Sequence, residues 1–367
     1  MADIYLFDQF GAGSHYSGPG NYFVNLINAN SESSHNFHLV HGNVEQKKLE
    51  AFKSNNFICD SRGVVGNIAF SCKVSRFVKE KDIDVIQTTH AYLGSINAAK
   101  AGIDREIPTY LRIAKAYSEL VDRSWKAKVV NLAKKKISVI NAANGVVAIS
   151  KEIERELLLL GVPEEKIYYI PNGVDLKKFN RLSDKSGFNF PFISGHIVIG
   201  FCGALIERKR PHLLLEVLKM LPSQYVVCFI GPYQNSRYIN DMKSYIDSNQ
   251  LSDRIFFTGF VNNPEDYLTR CDYFCLPSMN EGMPNALLEA MASGCVPIAT
   301  DISGVRDVIN GDDVGFIVEP DAHSIVDVIK NTNSTKEKYA LAAYHRVADN
   351  FSASSAFKKY LNMYKVK

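Results

Sequence analysis

The chain has 367 residues, with 42 Lys+Arg against 39 Asp+Glu for a formal net charge of +3, and 46% hydrophobic residues. That length suits two domains, each able to bury its own core, and 23 Gly with 13 Pro exclude collagen-like and wholly disordered chains. A net charge this close to zero excludes whole-surface attraction to polyanions, so any basic function is local and no nucleic-acid partner is expected.

The opening MADIYLFDQFGAG lacks the basic start and cleavage pattern of a secretory leader, and no apolar run approaches the ~18 residues that span a bilayer. A cytoplasmic protein is therefore expected. Its seven cysteines (59, 72, 202, 228, 271, 275 and 295) sit in apolar stretches without zinc-ligand spacing, and they read as reduced core thiols.

In chain order, the strand candidates of the first half are IYLF, NFHLV, DVIQTT, IPTYLRI, GVVAIS and KIYYIPNG. Amphipathic segments such as NYFVNLINA and KEIERELLLLG separate them. Short β-branched runs alternating with helical periods predict parallel strands joined by crossover helices. Periodicity then fades into a stretch rich in Lys, Asn, Ser, Gly and Pro, which predicts a linker over 179–195 between an N-terminal domain, 1–178, and a second domain, 196–350. In the second half, HIVIGFCG, YVVCFIG, RIFFTGF, YFCLPS, VPIATD and GFIVEP alternate with helices starting near Pro211, Asn235, Pro264, Pro284 and Ser324. The last segment, 351–367, predicts a helix that closes the second domain or crosses back to the first. The expected architecture is α/β, two Rossmann-like doubly wound domains whose carboxyl strand ends face a cleft.

Several residues stand out on this frame. In FGAGSHYSGPGNYFVNL, glycines lie between a strand and a helix without G-x-G-x-x-G spacing, so a dinucleotide fingerprint is not supported. His90 follows DVIQTT at a carboxyl strand end. His38 and His41 flank a strand end and carry no metal reading, and the single D-x-D, Asp82–Ile83–Asp84, opens a strand. From Arg112 to Lys136 there are eight Lys/Arg against Glu119 and Asp122, with Trp125 among them. Cations flanking an aromatic ring fit a helix lying on an anionic membrane, with Lys126, Lys128, Lys134, Lys135 and Lys136 as the contacts; a solvated basic helix fits the same pattern. Glu281 follows YFCLPS, and a Gly-Met-Pro turn then leads into a helix whose first N–H groups lack intrahelical partners, an anion- and hydroxyl-binding geometry. Glu289 lies eight positions on, a little over two turns, so both glutamates can face one ligand.

The block EGMPNALLEAMASGCVPIATDISGVRDVINGDDVGFIVEP, with Glu281 and Glu289 separated by seven residues, resembles the nucleotide-sugar domain of retaining GT-B glycosyltransferases of family 4 (glycosyl transferases group 1). GFCGALIERKRPHLLLEVL, RIFFTGFV and VVAISKEIERELLLLGVPEEKIYYIPNGVDLKKF resemble further blocks of that family in its order. The resemblance implies a GT-B fold and a retaining transferase that moves a sugar from a UDP or GDP donor to a glycan or lipid-linked acceptor in bacterial polysaccharide or cell-envelope synthesis. No cofactor or metal is essential to such an enzyme, the nucleotide sugar being a co-substrate.

By resemblance, Glu281 lies at the donor sugar and Glu289 at the nucleotide ribose. The backbone of Gly282, Met283 and Asn285 holds sugar and diphosphate, Lys209 matches the family lysine, and Phe260 and Val261 hold the base. Gly18 and Gly20 match the family's first loop. Gly203 precedes the position where the family carries arginine; Ala204 stands there instead, and Arg208 is the candidate replacement. A second active-site histidine is replaced near Ala114, leaving His90 as the histidine candidate. The resemblance also implies a location on the inner face of the plasma membrane. The rival readings are a GT-B sugar-nucleotide epimerase or phosphorylase and, in another class, a basic lipid- or nucleic-acid-binding module.

Overall fold

The computed structural model describes residues 1–11, 18–44, 49–116, 119–120, 132–181, 190–192, 195–233 and 236–365. The chain divides into two units, Met1–Gly173 with Ala353–Lys367, and Val174–Ser352.

Unit 1 holds seven parallel strands: β1 (Asp3–Asp8), β2 (Asn36–His41), β3 (Ser54–Phe57), β4 (Val85–Thr88), β5 (Thr109–Ile113), β6 (Gly145–Ala148) and β7 (Ile167–Tyr169). Their order in the sheet is β3-β2-β1-β4-β5-β6-β7. Unit 2 holds six parallel strands: β8 (Ile197–Cys202), β9 (Tyr225–Ile230), β10 (Ile255–Phe257), β11 (Tyr273–Leu276), β12 (Val296–Thr300) and β13 (Phe316–Val318), ordered β10-β9-β8-β11-β12-β13. Each sheet begins in its middle, winds outward to one edge, then returns and winds to the other. The reversal falls between β1 and β4 in unit 1 and between β8 and β11 in unit 2.

The strands form where apolar residues run without a break, because helices on both faces of a parallel sheet leave no solvent side. Every residue of β5 and β9 is buried, and Phe201, Leu214, Leu218, Phe229 and Ile298 lie in one core cluster of unit 2. Edge strand β3, SNNF, has one apolar residue in four and partial burial throughout most of its length. Its composition carries no strand signal, and pairing with β2 alone defines it.

Helix Ala353–Tyr364 packs on unit 1. Phe357 meets Phe37, Tyr360 meets Phe23 and Tyr364 meets Tyr110 at ring-centroid distances of 5.8, 5.3 and 5.4 Å. The Tyr364 hydroxyl donates to Gln87 Oε1 at 3.0 Å. At the other crossing, Val174 N donates to Phe351 O at 2.8 Å and Arg181 N to Ala292 O at 3.1 Å, so the segment from Val174 to Arg181 is tied to unit 2.

The thiols differ from the expectation at three places. Cys228, Cys271, Cys275 and Cys295 are buried, whereas Cys72 is exposed and Cys59 and Cys202 are half-buried. Cys72 falls on the outward side of helix Gly63–Glu80, a position that composition does not distinguish from its inward side.

Candidate active site

In a doubly wound sheet the loops after the two central strands leave in opposite directions and open a crevice at the carboxyl edge. In unit 2 these loops follow β8 and β11, and they carry Gly203 to Lys209 and Ser278 to Asn285.

After β8 the chain turns at Gly203, whose φ of +140° lies outside the usual range of other residues. A Cβ on Gly203 would stand 2.6 Å from Lys209 Nζ, so the missing side chain is the space that the ammonium occupies. Gly231, at the end of β9, has φ +136°, and a Cβ there would stand 2.4 Å from Gly203 O. Its N–H donates to Gly259 O at 3.1 Å. A line free of side chains thus runs along the carboxyl ends of β8, β9 and β10, from Lys209 towards Phe260, which is exposed, and Val261, half-buried.

After β11, Glu281 Oε1 lies 3.1 Å from Arg208 Nη1 and 3.6 Å from Lys209 Nζ, and it accepts from Ser278 Oγ at 3.4 Å. Arg208 also donates to Asn280 O, and Met279 N donates to Arg208 O at 2.9 Å. The two loops are therefore laced together, with two cations and one carboxylate partly open to solvent. Arrangements of this kind hold an anion while a neighbouring carboxylate keeps the cations oriented. The short turn Glu207–Lys209 ends at Arg210 with φ +48°.

Gly282 and Met283 are buried, and Asn285 opens helix Asn285–Ala292 directly after Pro284. Glu289, one turn along, is half-buried. Burial pushes its carboxyl up to about 7; Lys178 and Lys209 pull it down and Glu265 pushes it further up. Lys178 Nζ lies 3.4 Å from Glu265 Oε2. Lys209 thus faces both glutamates, and Glu281, Lys209, Arg208, Gly203 and Glu289 come together around one crevice. Ser278, Asn280, Lys178, Glu265 and Gly231 join them without a sequence signal of their own.

In unit 1 the carboxyl end of β1 and the loop after β4 bring Asp8 and His90 together, both at or below 1% exposure. Asp8 accepts from Thr89 Oγ1 and Phe10 N at 3.0 Å each, and His90 Nε2 stands 3.7 Å from Asp8 Oδ1. His90 Nδ1 faces Ser95 Oγ at 3.2 Å, and the rings of Tyr92 and Phe10 cover it at 4.4 and 5.6 Å. His90 is therefore an interior group of this edge. The place of the missing second histidine, Ala114, donates its N–H to Glu119 Oε2 at 2.8 Å; Glu119 also accepts from Ala91 N. Gly18 opens helix Gly18–Asn28 and Gly20 is buried within it, while residues 12–17 lie outside the described residues.

The basic segment does not form one surface. Arg112 lies in β5 at 1% exposure, stacked 4.9 Å from the Tyr22 ring centroid, and it donates to Thr89 O at 3.1 Å and Asn172 Oδ1 at 2.7 Å. Lys136 is buried and donates to Glu119 O, which removes it from the membrane contacts expected of it. Lys134 and Lys135 are exposed on helix Leu132–Ala142; Lys126 and Lys128 lie outside the described residues. His38 is structural, bound to Asp3 and Ser54 at 2.9 and 2.8 Å. Asp84 accepts from Asp3 N at 2.7 Å at the amino end of the sheet, away from the crevice. Among the described residues no group of three or more His, Cys, Asp or Glu is arranged to hold a metal ion, and no helix is long and apolar enough to cross a membrane.

Two Rossmann-like parallel sheets of this order define a GT-B glycosyltransferase fold. The chain belongs to the family-4, group-1 glycosyltransferases: residues 16–178 match Glycosyltransferase Family 4 and residues 184–345 match Glycosyl transferases group 1. It is 26% identical over 251 residues to the capsular polysaccharide biosynthesis glycosyltransferase CapH of Staphylococcus aureus, covering 66% of this chain and 67% of that one. It is also 26% identical over 297 residues to the UDP-Gal:alpha-D-GlcNAc-diphosphoundecaprenol alpha-1,3-galactosyltransferase of Escherichia coli, covering 76% of this chain and 74% of that one. Among solved structures, Anabaena HepE in complex with UDP and glucose shares the fold at a TM-score of 0.78 and 16% identity, covering 100% of both chains.

Proposed function

We propose that this glycosyltransferase is a retaining enzyme that moves a hexose-type sugar from a UDP- or GDP-linked donor to a glycan or lipid-linked acceptor of the bacterial cell envelope. The observation that carries the reading is Glu281 held at 3.1 and 3.6 Å from Arg208 and Lys209 in the crevice of unit 2. The donor is assigned to unit 2 and the acceptor to unit 1. The names of the similar proteins support this chemistry: one is a galactosyltransferase with UDP-Gal and a diphosphoundecaprenol substrate, and another was solved with UDP and glucose.

In this mechanism the diphosphate binds Lys209 and Arg208, and the amides at the start of helix Asn285–Ala292 add the positive end of the helix dipole. As the bond from the sugar C1 to the phosphate oxygen breaks, the growing negative charge meets cations already in place, which is where electrostatic catalysis is largest. The acceptor hydroxyl attacks C1 from the departing face and its proton passes to the leaving phosphate oxygen, so the new bond keeps the configuration of the old. Glu281 orients the cations and the sugar hydroxyls, Glu289 accepts from the ribose hydroxyls, and Phe260 and Val261 flank the base. His90 acts through Asp8 and Tyr92 as a positioning residue.

Attachment to the inner face of the plasma membrane completes the reading, with Lys134 and Lys135 among its cations. The test is thermal stabilisation of the purified protein by UDP-, GDP-, ADP- and TDP-sugars. Stabilisation by one nucleotide, lost in Glu289→Ala and in Lys209→Ala, is the expected outcome. No stabilisation by any sugar nucleotide, with or without candidate acceptors, would count against it.

A further inference from the structure

At the switch point of unit 1 the residues that follow β1 and β4 set three rings against one another. Phe10 meets Tyr92 edge-on at a centroid distance of 5.4 Å and an interplanar angle of 73°, and His90 packs against both, 4.4 Å from Tyr92 and 5.6 Å from Phe10. His90 is buried, Phe10 half-buried and Tyr92 41% exposed, so the stack rises from the interior to the surface. The two outer rings are held through their backbones by the buried groups behind them. Asp8 Oδ1 accepts from Phe10 N at 3.0 Å, and His90 Nδ1 accepts from Tyr92 N at 3.5 Å while its Nε2 stands 3.7 Å from Asp8 Oδ1. Glu119 accepts from the N–H of Ala91, the residue between His90 and Tyr92.

Tyr92 breaks a local rule at this place. It is the N-cap of helix Leu93–Ile103, with extended backbone and no side-chain bond to the first turn, where Ser, Thr, Asp or Asn would take one of the unpaired N–H groups. Gln9 substitutes from the loop after β1, its Oε1 accepting from Gly94 N at 3.2 Å. A cap position given to a large, partly exposed ring, with the capping left to a neighbour, is a position kept for something other than stability. Burial, then the carboxylates of Glu119 and Asp8, push the Tyr92 hydroxyl above its ordinary range, which marks the hydroxyl end as covered.

We propose that Tyr92, backed by Phe10, is the acceptor subsite of unit 1, a platform on which one pyranose of the acceptor lays its C–H face. The proposal deepens the function above and rests on its assignment of the acceptor to unit 1. The crevice beside a switch point is where doubly wound sheets take ligands, and aromatic rings with a few polar groups are the usual lining of such sites. A pyranose carries an apolar face of ring C–H groups and a rim of hydroxyls, and an aromatic ring offers the matching flat apolar surface. An alkyl chain would need a continuous apolar groove. Along this carboxyl edge the sequence instead sets Gln9, His41, Asn43, Thr89 and Lys115 about the rings' loops. Asp8, His90 and Glu119 are then positioning residues, which fix the angle of a platform they do not themselves form.

The test is saturation-transfer NMR of the full chain with the methyl glycosides of glucose, galactose, mannose, N-acetylglucosamine and N-acetylgalactosamine. Wild type should saturate the ring C–H protons of at least one of them. Tyr92→Phe keeps the ring and should bind that glycoside within about twofold of wild type. Tyr92→Ser and Tyr92→Leu remove the ring and should each weaken binding about tenfold or more. Serine also supplies the missing cap, so Tyr92→Ser should melt near wild type while its binding falls, a split that a tyrosine present only for packing would not give; leucine keeps apolar bulk against Phe10 should the serine variant fold poorly. A wild type that saturates none of these glycosides, a ring-less variant that binds as wild type does, or a Tyr92→Phe protein as weak as Tyr92→Ser overturns the proposal. Donor-induced thermal shifts on the same preparations separate the two readings, and they should match between wild type and Tyr92→Ser. A donor response lost in Tyr92→Ser would put the ring at the nucleotide sugar and overturn the platform. Tyr92-dependent glycoside binding in a protein that no sugar nucleotide stabilises fails the donor assignment and leaves the platform standing.

Discussion

The two units use one winding pattern and put charge at the same place, yet they treat it in opposite ways. In unit 2 the switch point carries Arg208, Lys209 and Glu281, partly open to water and joined mainly to one another. In unit 1 the equivalent edge carries Asp8, His90, Arg112 and Glu119 at 0%, 1%, 1% and 3% exposure, each tied into backbone or side-chain partners. Topology decides where a crevice forms; the loops decide whether its charges meet a ligand or brace the frame. A partly solvated cation can exchange water for a phosphate, whereas a buried and bonded group can only shape what lies in front of it.

The sharpest way to break this comparison is at Lys209. Lys209→Ala should lower kcat by about 10²–10³ in a sugar-transfer assay, the range for removing one charge-stabilising donor, while its melting temperature in the absence of donor stays near wild type. Asp8→Asn in unit 1 should show the converse. Its melting temperature should fall by several degrees, in line with about 2–3 kcal/mol for a broken buried network, and donor KM should hold. Equal effects of the two substitutions on donor KM would dissolve the distinction.

Glu289 sharpens the comparison through pH. Burial pushes its carboxyl up to about 7, and in the proposed donor complex the ribose hydroxyls donate to the ionised form. Donor affinity should therefore fall about tenfold per unit below pH 7 and level off above it, a dependence that Glu289→Gln removes along with tight binding. The same raised value makes the charged form costly in the folded state. The stability it contributes is fully present below the ordinary carboxyl value of 4.5 and is lost as pH rises from there to about 7, so Glu289→Gln should melt a few degrees higher than wild type at pH 8 and equal to it at pH 4.

Gly231→Ala carries the smallest expected effect. With φ +136° and a Cβ placed 2.4 Å from Gly203 O, it should cost about 1–3 kcal/mol of stability. It should also weaken donor binding several-fold, readable by calorimetry. Unaltered binding would mean that the line of glycines does not support the nucleotide.

Much of this site was legible in the chain. Glu281, Glu289 and Lys209 lie in short ordered blocks between strands that announce themselves by unbroken apolar runs, and those blocks carry the family resemblance. Lys178, Glu265 and Gly231 were silent because their role comes from neighbours 80 to 110 positions away or one strand over. The basic run failed as a unit for a related reason: counting Lys and Arg ignores which way a strand or helix points them. Arg112 reads as one more cation in the sequence, but in β5 it lies over Tyr22, and Lys136, next to exposed Lys135, turns inward to Glu119.

What the sequence alone determined is the periodicity. Apolar runs alternating with amphipathic ones specify parallel sheets with crossover helices, because local burial pattern and backbone propensity are properties of adjacent residues. What only the tertiary structure decided is the assignment of each charge to solvent, to a partner or to the interior. It also decided that helix Ala353–Tyr364 packs on unit 1 through Tyr360 and Tyr364. Those outcomes depend on contacts between residues far apart in the chain, whose energies no local pattern encodes.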